Sequence, residues 1–139
     1  MFSIILSNII IMDSQLLTLI SNLIYLICGI ILLIHNKIIV GIGLIIMWYI
    51  SHTYHKDRCN KYWSDMDMIF ASLGFIYIMI KHFNQIICIN KIIFLLIVIS
   101  SYVISRIWDN LNHRNMYNIC HSIWHIVSAI FITQILLEK

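Results

Sequence analysis

The chain has 139 residues, 61% of them hydrophobic and 11% charged, with a formal net charge of +3 and a mean hydropathy of +0.92. A soluble domain is about a quarter charged, so this chain lacks the polar surface to cover a core in water, and soluble enzyme folds are excluded. Its lysines and arginines are scattered singly rather than gathered into one stripe, which argues against nucleic acid as a partner.

Proline is absent and only four glycines occur, so helix breakers are few, and no alternating strand pattern suggests a membrane barrel. The expectation is an all-α, polytopic bundle of transmembrane helices forming one domain over residues 1–139. At about 20 residues per crossing there is room for four or five spans joined by short loops.

Residues 1–15 are an apolar lead-in that reaches Asp13 after about a dozen residues, which is short for a crossing. It lacks the basic start and small-residue cleavage site of a signal peptide, and it reads as an interfacial or partly inserted segment. The first span lies near 16–34 and ends in His35, Asn36 and Lys37, whose polar groups suit the headgroup region. The second lies near 38–55, where Gly41 and Gly43 permit close helix packing, and ends among Ser51, His52, Thr53, Tyr54 and His55. After a polar turn through Cys59, Asn60 and Lys61, the third span runs near 62–80 with Tyr62 and Trp63 as interface anchors and Asp65 and Asp67 in its first turns. The fourth occupies part of 86–105, its start blurred by Asn90 and Lys91. A polar loop over 106–118 leads to the fifth span, near 119–137, which carries His121 and His125 in its first turns. Cys28, Cys59, Cys88 and Cys120 show no CxxC spacing and say nothing about redox compartment.

If the fourth span crosses, alternate crossing puts Ser51, His55, Asp65, Asp67, His121 and His125 near one face of the membrane. Ionisable groups inside spans cost several kcal/mol on insertion scales and normally face the bundle interior with partners, so this convergence is informative. His121 and His125 are four residues apart, on one helix face, about 5–6 Å apart at Cβ, where both can ligate one ion. Ser51 and His55 share a face in the same way. Three neutral imidazoles are the ligand set of a catalytic zinc whose fourth position holds water. A nearby carboxylate can take that water's proton and a serine hydroxyl can hydrogen-bond a developing oxyanion.

Blander readings exist for each piece. HxxxH and SxxxH are weak motifs alone, an intramembrane histidine is often only an interhelical hydrogen-bonder, and the aspartates suit a helix start, where the macrodipole favours negative charge. His35, His82 and His113 fit loops, and His52, about 100° round the helix from Ser51, reads as structural. A bis-histidine haem using His55 with His121 or His125 is the rival cofactor.

In order and sidedness, Ser51 and His55 (SxxxH), an aspartate early in the next span, and His121 and His125 (HxxxH) in the last span resemble the CREST superfamily. This group of membrane proteins includes alkaline ceramidases, progestin and adipoQ receptors, GPI-anchor-remodelling factors and myomaker-like proteins. The match spans roughly residues 38–137, and His-Ser-Ile-Trp-His looks particularly like the myomaker-like and ceramidase-like branches. The resemblance implies a zinc ion (Zn2+) held by His55, His121 and His125, with Ser51 and an aspartate around its water, and hydrolysis of an amide in a membrane lipid such as ceramide. Met-Ile-Phe-Ala after Asp67 resembles the run after the family aspartate and favours Asp67 over Asp65. One pair of spans between the aspartate and the HxxxH helix is missing, which leaves the substrate class open. An endomembrane location of the ER or Golgi type is likewise implied, and association into a homo-oligomer is compatible with it. The second expectation is a non-catalytic protein of the same type, keeping zinc for stability and acting as a receptor or in membrane remodelling. Basic residues divide almost evenly between the two faces, so the orientation rule gives no direction.

Overall fold

A computed structural model describes residues 2–56 and 60–138, apart from the side chains of residues 2–14 and 89. Every regular element among them is a helix: α1 (Phe2–Ile34), α2 (Ile38–Lys56), α3 (Lys61–Lys81), the single turn α4 (Phe83–Ile86), α5 (Ile89–Asn110) and α6 (Arg114–Leu137). Five segments among the described residues are long and apolar enough to cross a membrane: Gln15–Ile34, Ile38–Lys56, Lys61–Lys81, Asn90–Asn110 and Arg114–Leu137. The protein is an all-α polytopic bundle, and the upper of the two expected span numbers applies.

The boundaries differ from expectation in three places. The lead-in is not a separate segment: α1 is continuous for 33 residues, since nothing between residues 2 and 28 is a glycine or proline that would break it. The fourth span, expected within 86–105, begins after α4 and Cys88, the extended cap of α5, and runs on to Asn110, past the expected end. The fifth begins at Arg114, so that part of the expected polar loop is helix. Residues 57–59, which include Cys59 of the expected polar turn, lie outside the described residues.

Two tight turns use asparagine where glycine is the usual choice. Asn36 and Asn112 have φ of 59° and 58°, in the left-handed region that asparagine tolerates. At the first, Lys37 N donates to Leu32 O and Asn36 N to Leu33 O. At the second, His113 N donates to Trp108 O and Asn112 N to Asp109 O. This paired pattern satisfies the last helix carbonyls and reverses the chain within about three residues. Asn60 starts α3 by accepting from Tyr62 N at 3.1 Å, as a helix cap does.

Side-chain pairs fix the helix directions. Tyr102 meets Trp124 and Phe94 meets Phe131, at 5.3 and 5.4 Å between rings, while Lys91 near the start of α5 pairs with Glu138 just after α6; α5 and α6 are therefore antiparallel along their length. Thr18 with Asn118, Ser21 with His125 and Tyr25 with Ser128 make α1 and α6 parallel. α1 and α2 cross backbone to backbone at Gly29 and Gly41: a Cβ on Gly29 would come 2.9 Å from Gly41 O, and one on Gly41 would come 2.9 Å from Gly29 O. Gly43, expected to share this role, instead faces open space, as does Gly74 on α3.

In contact order the helices run α3, α2, α1, α6, α5. The row curls, so α3 and α5 flank a cleft whose back wall is α2 and α6. Its apolar part, about 310 Å³, is lined by residues such as Val40, Gly43, Leu44, Gly74 and Phe131. A second part, about 510 Å³, reaches toward the ends carrying the histidines. Ala71, Phe75, Val98 and Trp124 line both parts, making them one continuous groove.

Candidate metal centre

His55 sits in the last turn of α2, and His121 and His125 lie one turn apart near the start of α6. All three are buried, with exposures of 0%, 4% and 0%. Each offers one ligand atom, and the three atoms lie within 4.8 Å of one another, so the group could hold a metal ion. This answers the crossing argument: with α5 traversing the bundle, the end of α2 meets the start of α6. The rings meet at centroid separations of 4.9, 5.2 and 4.5 Å, each close to edge on face. That packing leaves no plane between any two of them for a porphyrin, which argues against the bis-histidine haem. Three imidazoles converging from two helices suit a small ion of borderline softness with nitrogen ligands at about 2.0–2.1 Å; modest ring movement would bring them to it.

Ser51 is fully buried one turn before His55, and Asp67 on α3 is 6% exposed. The Ser51 hydroxyl stands beside the Asp67 carboxyl as its neighbouring hydrogen-bonding group, and neither Ser51 Oγ nor Asp67 Oδ1 makes a well-formed hydrogen bond to any other group among the described residues. Two such polar atoms inside an apolar bundle are costly unless something else engages them. Asp65 is half-buried. Both aspartates line the polar part of the groove, together with Tyr54, Arg106, Tyr117 and His121. The two do not diverge to opposite surroundings, as a plain helical wheel suggests, because the groove wraps a broad face of α3. Burial beside Ser51 distinguishes Asp67. His52 packs against Trp48 at 5.8 Å, away from the three-histidine group, in keeping with a structural role. His82 hydrogen-bonds Gln85 and His113 packs on Trp108, both in turns.

α1 matches its expected apolar character on most of its surface but not on one face. In the structure it carries a polar seam of Gln15, Thr18, Ser21, Asn22 and Tyr25, spaced three and four residues apart so that they share one face. Gln15 Nε2 donates to His55 O at 3.1 Å, holding one of the carbonyls that end α2. Asn22 Nδ2 lies 3.4 Å from Trp48 O. Ser21 Oγ lies 3.2 Å from His125 Nδ1 and donates to Thr18 O at 2.9 Å. Tyr25 OH is 2.7 Å from Ser128 Oγ, and its ring edge faces His125 at 5.5 Å. On α6, Ser122 Oγ donates to Asn118 O at 2.7 Å. The available signal was this spacing of five polar-bearing residues within an otherwise aliphatic helix.

Compared with known proteins, the chain matches no family model, no curated protein and no solved structure.

Proposed function

We propose that this protein is a zinc-dependent integral-membrane hydrolase resembling the CREST superfamily, cleaving an amide, or an ester, in a membrane lipid such as ceramide. The observation that carries the reading is the joint position of His55, His121 and His125 with the buried Ser51 and Asp67 beside a groove inside the bundle. A purely structural zinc is normally closed by four protein ligands, whereas among the described residues this cluster offers three histidines.

His55, His121 and His125 would hold the zinc, which when bound would supply Lewis acidity toward a water and the scissile carbonyl. Asp67 Oδ1 accepts the proton of the attacking water as its oxygen adds to the carbonyl carbon. Ser51 Oγ donates a hydrogen bond to the carbonyl oxygen as negative charge develops there. Asp67 then returns the proton to the leaving nitrogen as the C–N bond breaks, giving a carboxylic acid and an amine. The groove supports a lipid substrate. Its polar part, with Asp65, Asp67, Arg106 and His121, suits the linkage and headgroup, and its aliphatic part beside Gly43 and Gly74 suits a hydrocarbon chain. The endomembrane location belongs to the same proposal and follows from the family resemblance.

The test is release of free fatty acid from ceramide by purified protein in lipid nanodiscs. The expected result is release that a chelator abolishes and added zinc restores. Zinc-loaded protein that hydrolyses neither amide- nor ester-linked lipids would move the assignment to the non-catalytic reading.

A further inference from the structure

The hydrogen bonding around His125 has a direction. A serine hydroxyl has one proton to give and lone pairs to accept with. With its one proton on the shorter contact, to Thr18 O at 2.9 Å along its own helix, Ser21 Oγ is left to accept from His125 Nδ1 at 3.2 Å. A neutral imidazole that donates from Nδ1 carries its lone pair on Nε2, the nitrogen left for an ion.

From this we infer that Ser21 is a positioning residue for the metal centre: from α1, which supplies none of the three histidines, it fixes the Nδ1–H tautomer and ring orientation of His125 so that Nε2 is the ligand atom. The inference rests on the metal reading above and adds to it a fourth side chain from a third helix. The surroundings support the assignment. Ser21 is 6% exposed and His125 and Thr18 are 0% exposed, so water does not compete for Nδ1. The ring is also braced by the edge contact of Tyr25, whose hydroxyl is 2.7 Å from Ser128 Oγ, while Ser128 Oγ donates to His125 O at 3.2 Å. One face of α1 therefore holds both the imidazole and the backbone that carries it. Loss of such an outer-shell hydrogen bond typically weakens metal binding about ten- to a hundredfold.

The experiment measures zinc affinity by competition with a chromophoric chelator, and the His125 tautomer by nitrogen-15 NMR of histidine-labelled metal-free protein, in wild type, Ser21→Ala, Ser21→Thr and Tyr25→Phe. Wild type is expected to show His125 as the Nδ1–H form. Ser21→Ala should shift it toward the Nε2–H form that free imidazole prefers and weaken zinc binding about ten- to a hundredfold. Ser21→Thr, which keeps the hydroxyl, should restore both. Tyr25→Phe removes a buried hydrogen bond of the same seam without touching Nδ1 and should leave the tautomer unchanged, separating positioning from packing. An Nε2–H form in wild type, unchanged zinc affinity in Ser21→Ala, or an equal tautomer change in Tyr25→Phe would overturn the role of Ser21. Wild type that binds no zinc would instead overturn the metal reading itself, whatever the tautomer.

Discussion

Among the described residues, the buried positions of α1, α2 and α6 hold ten polar side chains, among them Thr18, Ser21, Asn22, Ser51, Asn118 and the three histidines, whereas α3 and α5 bury only Asp67 and Ser105 among their polar groups. The central trio is closed by backbone contact at Gly29 and Gly41 and by hydrogen bonds between α1 and each of its neighbours. The outer pair is held differently: α3 packs on α2, α5 on α6, and the two are separated by the groove. The contrast separates two tasks. Among the described residues, the three candidate ligands sit on the trio, where packing fixes ring positions. The flanking walls of the groove, with Asp67, come from helices with few buried side chains. Interhelical hydrogen bonds inside membranes average about 0.6 kcal/mol, so it is their number along one seam, rather than any single one, that makes the trio rigid.

Substitutions can break this division of labour. The largest effect is expected within the trio: His55→Ala, His121→Ala or His125→Ala should each lower zinc affinity by more than the roughly ten- to hundredfold typical of an outer-shell change, measured by metal analysis of purified protein. On the outer pair, Asp67→Ala should retain zinc yet lower hydrolysis by about 10²–10⁴-fold, the usual contribution of a general base; Asp65→Ala should do much less. An exchange of these two phenotypes would reassign the base while leaving the centre intact. Gly74→Leu fills open space in the groove without meeting another atom at Cβ. It should therefore preserve zinc and thermal stability while reducing turnover of long-chain lipids about tenfold or more. Gly29→Leu, in the trio, should destabilise the fold. Equal effects of the two glycine variants on stability would erase the distinction between trio and outer pair.

The smallest expected effect lies at the opposite end of the bundle, where Lys91 pairs with Glu138. The hydrogen bond from Lys91, then that from Gln134, holds the Glu138 carboxyl below its usual range. A depressed carboxyl pKa means that its stabilisation is present above the unfolded-state pKa and is lost as pH falls through the folded-state value. Glu138→Gln should therefore lower the thermal midpoint slightly at neutral pH and not at all once acid has protonated the wild-type carboxyl. A difference that persists in acid would assign the stability of this end to something other than the ion pair. Glu138 is exposed, and such pairs contribute little.

The helix count and the convergence of His55, His121 and His125 were legible because spans are written in hydropathy and crossing parity links motifs far apart in sequence. The same parity makes topology testable. Single cysteines at Lys61 and Asn112, in a background without other cysteines, should react with an impermeant thiol reagent from one side of the membrane, and one at Lys37 from the other. Less legible were features set by packing geometry. Gly41 and Gly43 look equivalent in sequence, yet only Gly41 meets a neighbour, because the choice depends on where Gly29 of another helix arrives. Gln15 falls in the expected lead-in and Ser21 in the apolar first span; their partners, the His55 carbonyl and His125, become visible only when α1 lies antiparallel to α2 and parallel to α6. The turns at Asn36 and Asn112 lacked the glycine that usually marks such a reversal.

The central claim is that histidines from two helices hold one ion with an open position. X-ray absorption at the zinc edge of purified, zinc-loaded protein tests it most directly. The account predicts about one zinc per chain with three imidazole nitrogens at about 2.0–2.1 Å and one oxygen, the imidazole signal falling in His55→Ala. A sulfur-containing or four-histidine shell, or an unchanged spectrum in His55→Ala, would contradict it.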